Sequence, residues 1–230
     1  MKSIWIGAPE IKHFHSRRNR VTLNEMVWDR RILPVVVKEY PDAYAALREY
    51  RLLRRLSSLY VNVPSVYGVH ENVLYMQYIE GTLLTHIIDA VSSYSPRWIA
   101  RLAEWFYGFH KANMQANGAV MLKDDANLRN FIFYQDDFYA LDFEAEIFGR
   151  PEQDIAECCA YILSNNPPFT REKFDVINKF IDCYCKLDNT VDKRVFKEEV
   201  KKSLKNIAGF RKRQEGYILD SLPLVDRMAH

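Results

Sequence analysis

No apolar run in this chain approaches the ~18 residues that a membrane-crossing helix needs. The opening Met-Lys-Ser-Ile-Trp-Ile-Gly lacks the long apolar stretch of a signal peptide. A cytoplasmic protein with no transmembrane segment is therefore expected. Cysteine is scarce. The four present, Cys158-Cys159 and Cys183-x-Cys185, have no zinc-site spacing and lie in helix-like segments, so reduced core thiols are expected. Glycine and proline are few, at 8 and 9, and neither low-complexity tracts nor a repeat period is visible. A net charge of +2 is too small to point to nucleic acid or an anionic membrane. What remains is a composition of 48% hydrophobic and 27% charged residues. At 230 residues that suits one large globular domain or two small lobes.

The most informative stretch runs from Leu122 to Asp154. Two aromatic-rich runs, Phe131–Tyr134 and Phe138–Leu141, flank the polar trio Gln135, Asp136 and Asp137, which is a hairpin signal. Adjacent strands lie about 5 Å apart. The spacing therefore places Asn130 and Asp142 together at one end of the hairpin, with Asp125 a short loop upstream. An amide oxygen beside a carboxylate makes a hard-oxygen site of the Mg²⁺ type, whose other ligands are waters and phosphate oxygens. Asp125 could then orient a hydroxyl for attack. Asp and Asn are also ordinary turn residues, and the pattern gains its weight only from the order Asp125, Asn130, Asp142-Phe143 around a hairpin of suitable length.

On these residues the stretch resembles the catalytic and metal-binding segments of protein-kinase-like phosphotransferases. The atypical branch is most similar: aminoglycoside and choline phosphotransferases, RIO kinases and lipopolysaccharide-core sugar kinases. Lys123-Asp124-Asp125 stands where those enzymes carry His-Gly-Asp or a variant, and Asp142-Phe143-Glu144 where others carry Asp-Phe-Gly. Gly149-Arg150-Pro151-Glu152-Gln153-Asp154-Ile155-Ala156 resembles a phrase whose Asp braces the catalytic loop; simple helix capping by Asp154 is the plainer alternative.

Upstream, Ser3–Ile6, Val21–Leu23 and Val35–Val37 read as strands, with Lys38 directly after the last. The resemblance implies that this lysine meets the α- and β-phosphates of a nucleotide. Pro41 at a first-turn position and the Ala-, Leu- and Arg-rich run after it predict a helix over about 42–58. Ala46, Glu49, Tyr50, Leu53 and Leu56 share one of its faces. An acid in an apolar stripe needs a partner. Lys38 is the natural one for Glu49, with a neighbouring arginine as the alternative. Val73–Met76 reads as a strand leading into Gln77-Tyr78-Ile79-Glu80-Gly81, which resembles a lobe connector. That resemblance implies that backbone groups of Gln77 and Ile79 bond the adenine edge beside Met76, which is otherwise an ordinary core residue.

Thr82–Val91 and Pro96–Asn113 read as helices, the second with Ser95 as cap and Ile99, Leu102, Phe106 and Phe109 on its apolar face. His110 is expected to be structural. The tail reads as amphipathic helices with stripes Phe174, Ile177, Ile181, Tyr184 and Phe196, Val200, Leu204, Ile207. Its basic residues, Lys201, Lys202, Lys205, Arg211, Lys212 and Arg213, form either a solvated face or a site for an anionic acceptor or phosphate-rich partner.

The fold expected is α+β: a two-lobed protein-kinase-like fold with a small antiparallel β-rich lobe over 1–78 and a mainly helical lobe over 79–230. The resemblance implies ATP and Mg as cofactors. Lys38, Glu49, Met76, Gln77 and Ile79 would hold the nucleotide, Asn130 and Asp142 the metal, and Asp125 a hydroxyl-bearing acceptor. Two departures stand out: no glycine-rich loop occurs between the first strands, where Ala8–Ser16 lies, and Lys123 replaces the usual His or Arg. Three functions follow: a small-molecule, sugar or lipopolysaccharide-type kinase; a RIO-like serine/threonine protein kinase; or a pseudokinase acting as a nucleotide-binding or partner-binding module.

Overall fold

A computed structural model describes residues 10–16, 18–28, 31–90, 97–143 and 145–228. The chain forms two compact units, one of residues 1–80 and 142–145, the other of residues 81–141 and 146–230.

Among the described residues the first unit is a five-stranded antiparallel sheet with one helix. Its strands are β1 (Glu10–Phe14), β2 (Arg20–Trp28), β3 (Arg31–Glu39), β4 (Val66–His70) and β5 (Val73–Gln77), in spatial order β1-β2-β3-β5-β4. Ser3–Ile6 lies outside the described residues. Glu10–Phe14, expected to belong to the connection between the first strands, is instead an exposed edge strand ordered by its pairing with β2, with a bulge between Glu10 and Lys12. Lys12 lies over the Phe14 ring there.

Helix α1 (Ala43–Ser58) begins one residue later than expected, since the Asp42 carboxylate caps it by accepting the Ala45 N–H. Pro41 therefore precedes the cap rather than sitting in the first turn. Ala46, Glu49, Leu52, Leu53 and Leu56 are its buried face, which packs on β4 and β5. Leu52 takes the place expected of Tyr50, which is only half-buried.

The second unit is mainly helical. It opens with β6 (Thr82–Leu83) and α2 (Leu84–Asp89). Thr82 and Leu83, expected to be helical, pair instead with Phe133 and Ile132. Gly81 makes this approach feasible: a Cβ there would meet the Ile132 side chain and the Phe133 carbonyl, both at 2.5 Å. Helix α3 (Arg97–Ala112) follows, then β7 (Val120–Leu122), a 3₁₀ turn (Leu128–Asn130), β8 (Phe131–Tyr134), β9 (Asp137–Ala140) and β10 (Ile147–Gly149). Four helices complete the unit: α4 (Pro151–Ser164), α5 (Arg171–Leu187), α6 (Lys193–Phe210) and α7 (Glu215–Asp220). Ser95 and Pro96, expected to start the long helix, lie outside the described residues.

Its core is aromatic. Ile99, Leu102, Phe106 and Phe109 of α3 are fully buried. Trp105 stacks on Phe109, and Phe106 meets Phe131 of β8 and Phe180 of α5 with ring centres 5.3 and 5.9 Å apart. Phe196, Val200, Leu204 and Ile207 bind α6 to α4. This packing fixes β7, β8 and α4, and so the loop between β7 and β8.

Candidate active site

Lys38 closes the β-rich unit's polar centre. Strand β3 sets it opposite Val21 and Leu74, in the middle of the sheet, and only 5% of its surface is exposed. An ammonium there must be compensated. Its Nζ lies 2.8 Å from Glu49 Oε2 and 2.5 Å from Asp142 Oδ1. Burial would push the ammonium toward neutrality, but Glu49 and Asp142 outweigh it and hold the group above its ordinary range. The pairing expected for Lys38 and Glu49 is what the fold builds.

Glu49 does more than hold the lysine. Its Oε2 also accepts the Tyr40 hydroxyl, and its Oε1 accepts the backbone N–H of Phe143 at 3.4 Å. One buried carboxylate thus ties α1, β3 and the Asp142–Phe143 segment together. Asp142 has φ +62°, a left-handed backbone that costs a non-glycine residue roughly 1–3 kcal/mol and that clusters at functional sites. Its side chain is 36% exposed against 2% for Glu49, so the two arms of Lys38 differ: one is locked in the core, the other open to exchange.

Met76 on β5 is buried opposite Val36 and Val66. Gln77 gives its backbone N–H to the Ser65 carbonyl at 2.8 Å, which removes that donor from any contact with a base edge. Ile79 is 5% exposed.

In the helical unit the loop after β7 is gripped from below. Asp154, one turn into α4, accepts the backbone N–H of Lys123 at 2.6 Å and of Asp124 at 3.4 Å. It is a brace rather than a cap. His110 Nε2 lies 3.0 Å from the same carboxylate, and His110 Nδ1 lies 2.7 Å from the Tyr184 hydroxyl. In the neutral ring this network requires Nε2–H, donated to Asp154, and leaves Nδ1 to accept from Tyr184. His110 is structural, as expected, but its partner is the loop's own brace.

Lys123, the departure from the family pattern, is buried and donates its ammonium to the Asp125 carbonyl at 3.2 Å. The Ala126 N–H donates to Glu157 Oε2 at 3.1 Å. Burial, the field of Asp154 and that of Asp125 push the Glu157 carboxyl up to about 7, against the Ala126 bond and Lys123. Asn127 caps the 3₁₀ turn by accepting the Arg129 N–H, and that turn presents Asn130.

Asn130 donates its side-chain N–H groups to Asp125 twice, to Oδ2 at 2.9 Å and to the carbonyl at 3.1 Å. Its backbone carbonyl accepts the N–H of Leu141 at 2.8 Å. The direct neighbour of Asn130 across the hairpin is therefore Leu141, one residue short of Asp142. Strand β9 begins at Asp137, and the turn shrinks to Gln135–Asp136 with φ of +47° and +70°, the tight hairpin type.

The fold thus brings Lys38, Glu49 and Asp142 together in one unit, and Asp125 and Asn130 in the other. Sequence reasoning missed Tyr40, Glu157 and the burial of Lys123. Glu157 lies three residues after Asp154, on the same helical face, and that spacing was the available signal.

Half of the basic residues named in the tail are paired: Lys201 with Glu198 and Asp226, Lys202 with Glu199, and Lys212 with Glu215. A solvated face accounts for these. The four cysteines are unpaired thiols, and no helix among the described residues is long and apolar enough to cross a membrane.

Solved structures of similar fold cover nearly the whole chain. An ethanolamine kinase from Plasmodium vivax is 12% identical, with TM-score 0.62, covering 89% of this chain and 76% of its own. The amicoumacin kinase hAmiN, solved with AMP-PNP, Ca²⁺ and Ami, is 11% identical with TM-score 0.62, covering 95% and 88%. A putative fructosamine-3-kinase from Haemophilus somnus is 13% identical with TM-score 0.53, covering 99% and 92%. No curated protein sequence matches the chain. An antiparallel sheet with a buried Lys–Glu pair, followed by a helical unit with a braced Asp/Asn loop, defines a two-lobed, atypical protein-kinase-like phosphotransferase. The family model for the RIO domain matches residues 11–144, more than half of the sequence, and the chain belongs to that family.

Proposed function

We propose that this protein is a Mg²⁺-ATP-dependent kinase that transfers the γ-phosphoryl group to a hydroxyl of a small-molecule or sugar-type acceptor. The Asn130 side chain carries this reading. Its amide nitrogen is committed to Asp125, so its oxygen is the end left to face an electrophile, and no donor among the described residues bonds it. A hard-oxygen ligand is thereby oriented by the same contact that holds the proposed base.

Asn130 and Asp142 would hold the divalent ion, and their amide and carboxylate oxygens fit a hard cation. Such an ion, when bound, screens the phosphate oxygens as charge develops on them. Lys38 keeps its charge through Glu49 and would turn its open arm, now on Asp142, to the phosphates. Asp125 would align the acceptor hydroxyl and take its proton, held in place by Asn130 while Lys123, Ala126 and Asp154 fix the loop beneath it. Phosphoryl transfer asks mainly for such positioning and charge stabilisation. Met76, Gln77 and Ile79 would line the adenine site, with Gln77 offering a group other than its N–H. A cytoplasmic site of action, where ATP is supplied, belongs to the same reading.

The similar structures named for ethanolamine, fructosamine and Ami support a small-molecule acceptor. The RIO family match favours a protein acceptor as the second reading. Turnover of ATP with Mg²⁺ should be lost in both Asp125→Ala and Asp142→Asn. Unchanged turnover in either variant removes that residue from the mechanism; no turnover in the parent returns the protein to the pseudokinase class.

A further inference from the structure

Helix α4 runs alongside the loop that carries Asp125. Asp154, Glu157, Tyr161 and Ser164 follow one another at spacings of 3, 4 and 3 and share one face. Asp154 holds Lys123, and Glu157 holds Ala126. Tyr161 lies near the Asn127 side chain and in the fields of Asp125 and Glu157. One turn further, the Ser164 carbonyl accepts Arg211 Nη1 at 2.6 Å. Arg211 is the first residue beyond α6, yet this contact turns it inward to the far end of the face on which Asp125 lies.

Arg211 is not alone there. Arg129, on the 3₁₀ turn two residues after Asn127, is close enough to act on it by repulsion. Burial pushes the Arg211 guanidinium below its ordinary range; Tyr161 opposes that and Arg129 adds to it. Neither arginine has a carboxylate within ion-pair distance among the described residues. The buried Lys173 extends the same positive field. Its ammonium donates to the carbonyls of Asn165 and Pro167, and burial and Arg211 lower its pKa to about 8 against the attraction of Asp89.

A cap for the C-terminal end of α4 accounts for one N–H of Arg211. It leaves four donors of a guanidinium, and the exposed Arg129, uncompensated at the end of the α4 face that braces the Asp125 loop. Paired guanidinium groups present parallel N–H donors that match phosphate or carboxylate oxygens. An ammonium-bearing acceptor would meet repulsion from both. Glu157 offers it little counterweight, since that carboxyl is substantially protonated near neutrality.

We infer that Arg129 and Arg211 form a subsite for the anionic group of the acceptor, a phosphate monoester or carboxylate, placed so that a hydroxyl of the same molecule reaches Asp125. That this is an acceptor subsite, rather than an anion site with no chemistry beside it, rests on the phosphotransferase reading.

The test is calorimetric titration of the full chain with glucose 6-phosphate, glucuronate, glucose and choline, repeated on Arg129→Gln and Arg211→Lys. The lysine variant keeps a donor for Ser164 and so keeps the end of α4. Both anionic probes should bind at least tenfold more tightly than glucose. A lead of glucose 6-phosphate over glucuronate would assign the group as phosphate, and the reverse as carboxylate. Each variant should erase most of the anionic preference while circular dichroism stays that of the parent. Equal binding of glucose and both anions, tighter binding of choline, or a preference untouched by both variants would overturn the inference, whatever the turnover assay gives. Arginine-dependent anion binding in a parent protein that shows no ATP turnover would instead overturn the kinase reading and leave an anion-binding protein.

Discussion

The carboxylate of Asp154 accepts the backbone N–H of Lys123 at 2.6 Å across 31 residues of chain, and His110 and Tyr184 stand behind it in a buried line. The loop that carries Asp125 is thereby held by the helical core as well as by its own Lys123 and Asn130. Tyr184→Phe should leave His110 Nδ1 buried without a donor and cost about 1–3 kcal/mol of stability. Asp154→Ala should also free the loop, and a displacement of the order of 1 Å costs roughly 100-fold in rate. Urea unfolding and steady-state kinetics separate the two: the tyrosine variant should lose stability with kcat reduced less than about tenfold, the aspartate variant both.

Lys38 and Glu49 form an ion pair inside the sheet unit, where removing one member strands the other. Lys38→Met should cost about 3–5 kcal/mol in urea unfolding. The double variant Lys38→Met/Glu49→Met should be more stable than the single one, since no buried charge is left, and neither should transfer phosphate. A double variant less stable than the single would show that the packing around Glu49, not its charge, is what the lysine supports.

Two duties are proposed for Asn130, holding a divalent ion and holding Asp125, and two substitutions divide them. Asn130→Ala removes the amide oxygen and the donors that hold Asp125. Asn130→Asp keeps a hard oxygen for a divalent ion but sets a second carboxylate 2.9 Å from Asp125 Oδ2, where a donor stood. Turnover should fall by about 100-fold or more in both. A Mg²⁺ titration should show saturation retained only in Asn130→Asp. Full activity in Asn130→Asp would mean that the bond to Asp125 has no part in orienting the base.

Glu157 makes stability depend on pH with a definite sign. Its folded-state pKa of about 7 lies above the ordinary 4.5, so the folded protein binds the extra proton between those values. Stability from this group is therefore full at the acid end and declines as pH rises toward 7, by at most about 3 kcal/mol. Glu157→Gln keeps an oxygen for the Ala126 N–H and removes the charge. The variant should gain on the parent between pH 5 and pH 8 when thermal midpoints are compared. A constant difference across that range would show that Glu157 titrates normally.

Several parts of the molecule were legible before any coordinates. The hairpin announces itself by the aromatic-rich runs 131–134 and 138–141 around a polar turn, although its second strand begins at Asp137 because the turn takes only two residues. The pairing of Lys38 with Glu49 could be argued because a carboxylate in an apolar helical stripe has few ways to be satisfied. Thr82–Leu83 carries a helical pattern and yet forms a strand, because a two-residue strand exists only through its partner β8 and no local preference records that. Glu10–Phe14 was overlooked for a similar reason, being a short, polar edge strand whose order comes from β2.

What the sequence by itself determined is the set of groups able to do chemistry and the local frame that holds each: lysine at the end of an apolar strand, Asp and Asn at a hairpin's root, helices amphipathic on known faces. Tertiary structure decided which groups hold one another. Lys123 inward on the Asp125 carbonyl, Glu157 on Ala126, Tyr184 behind His110 and Arg211 folded back onto the end of α4 are all contacts of this kind. Apolar period and turn chemistry act over a few residues and can be read along the chain. Hydrogen bonds spanning 31, 74 or 104 positions depend on how the core packs, and only the folded chain specifies them.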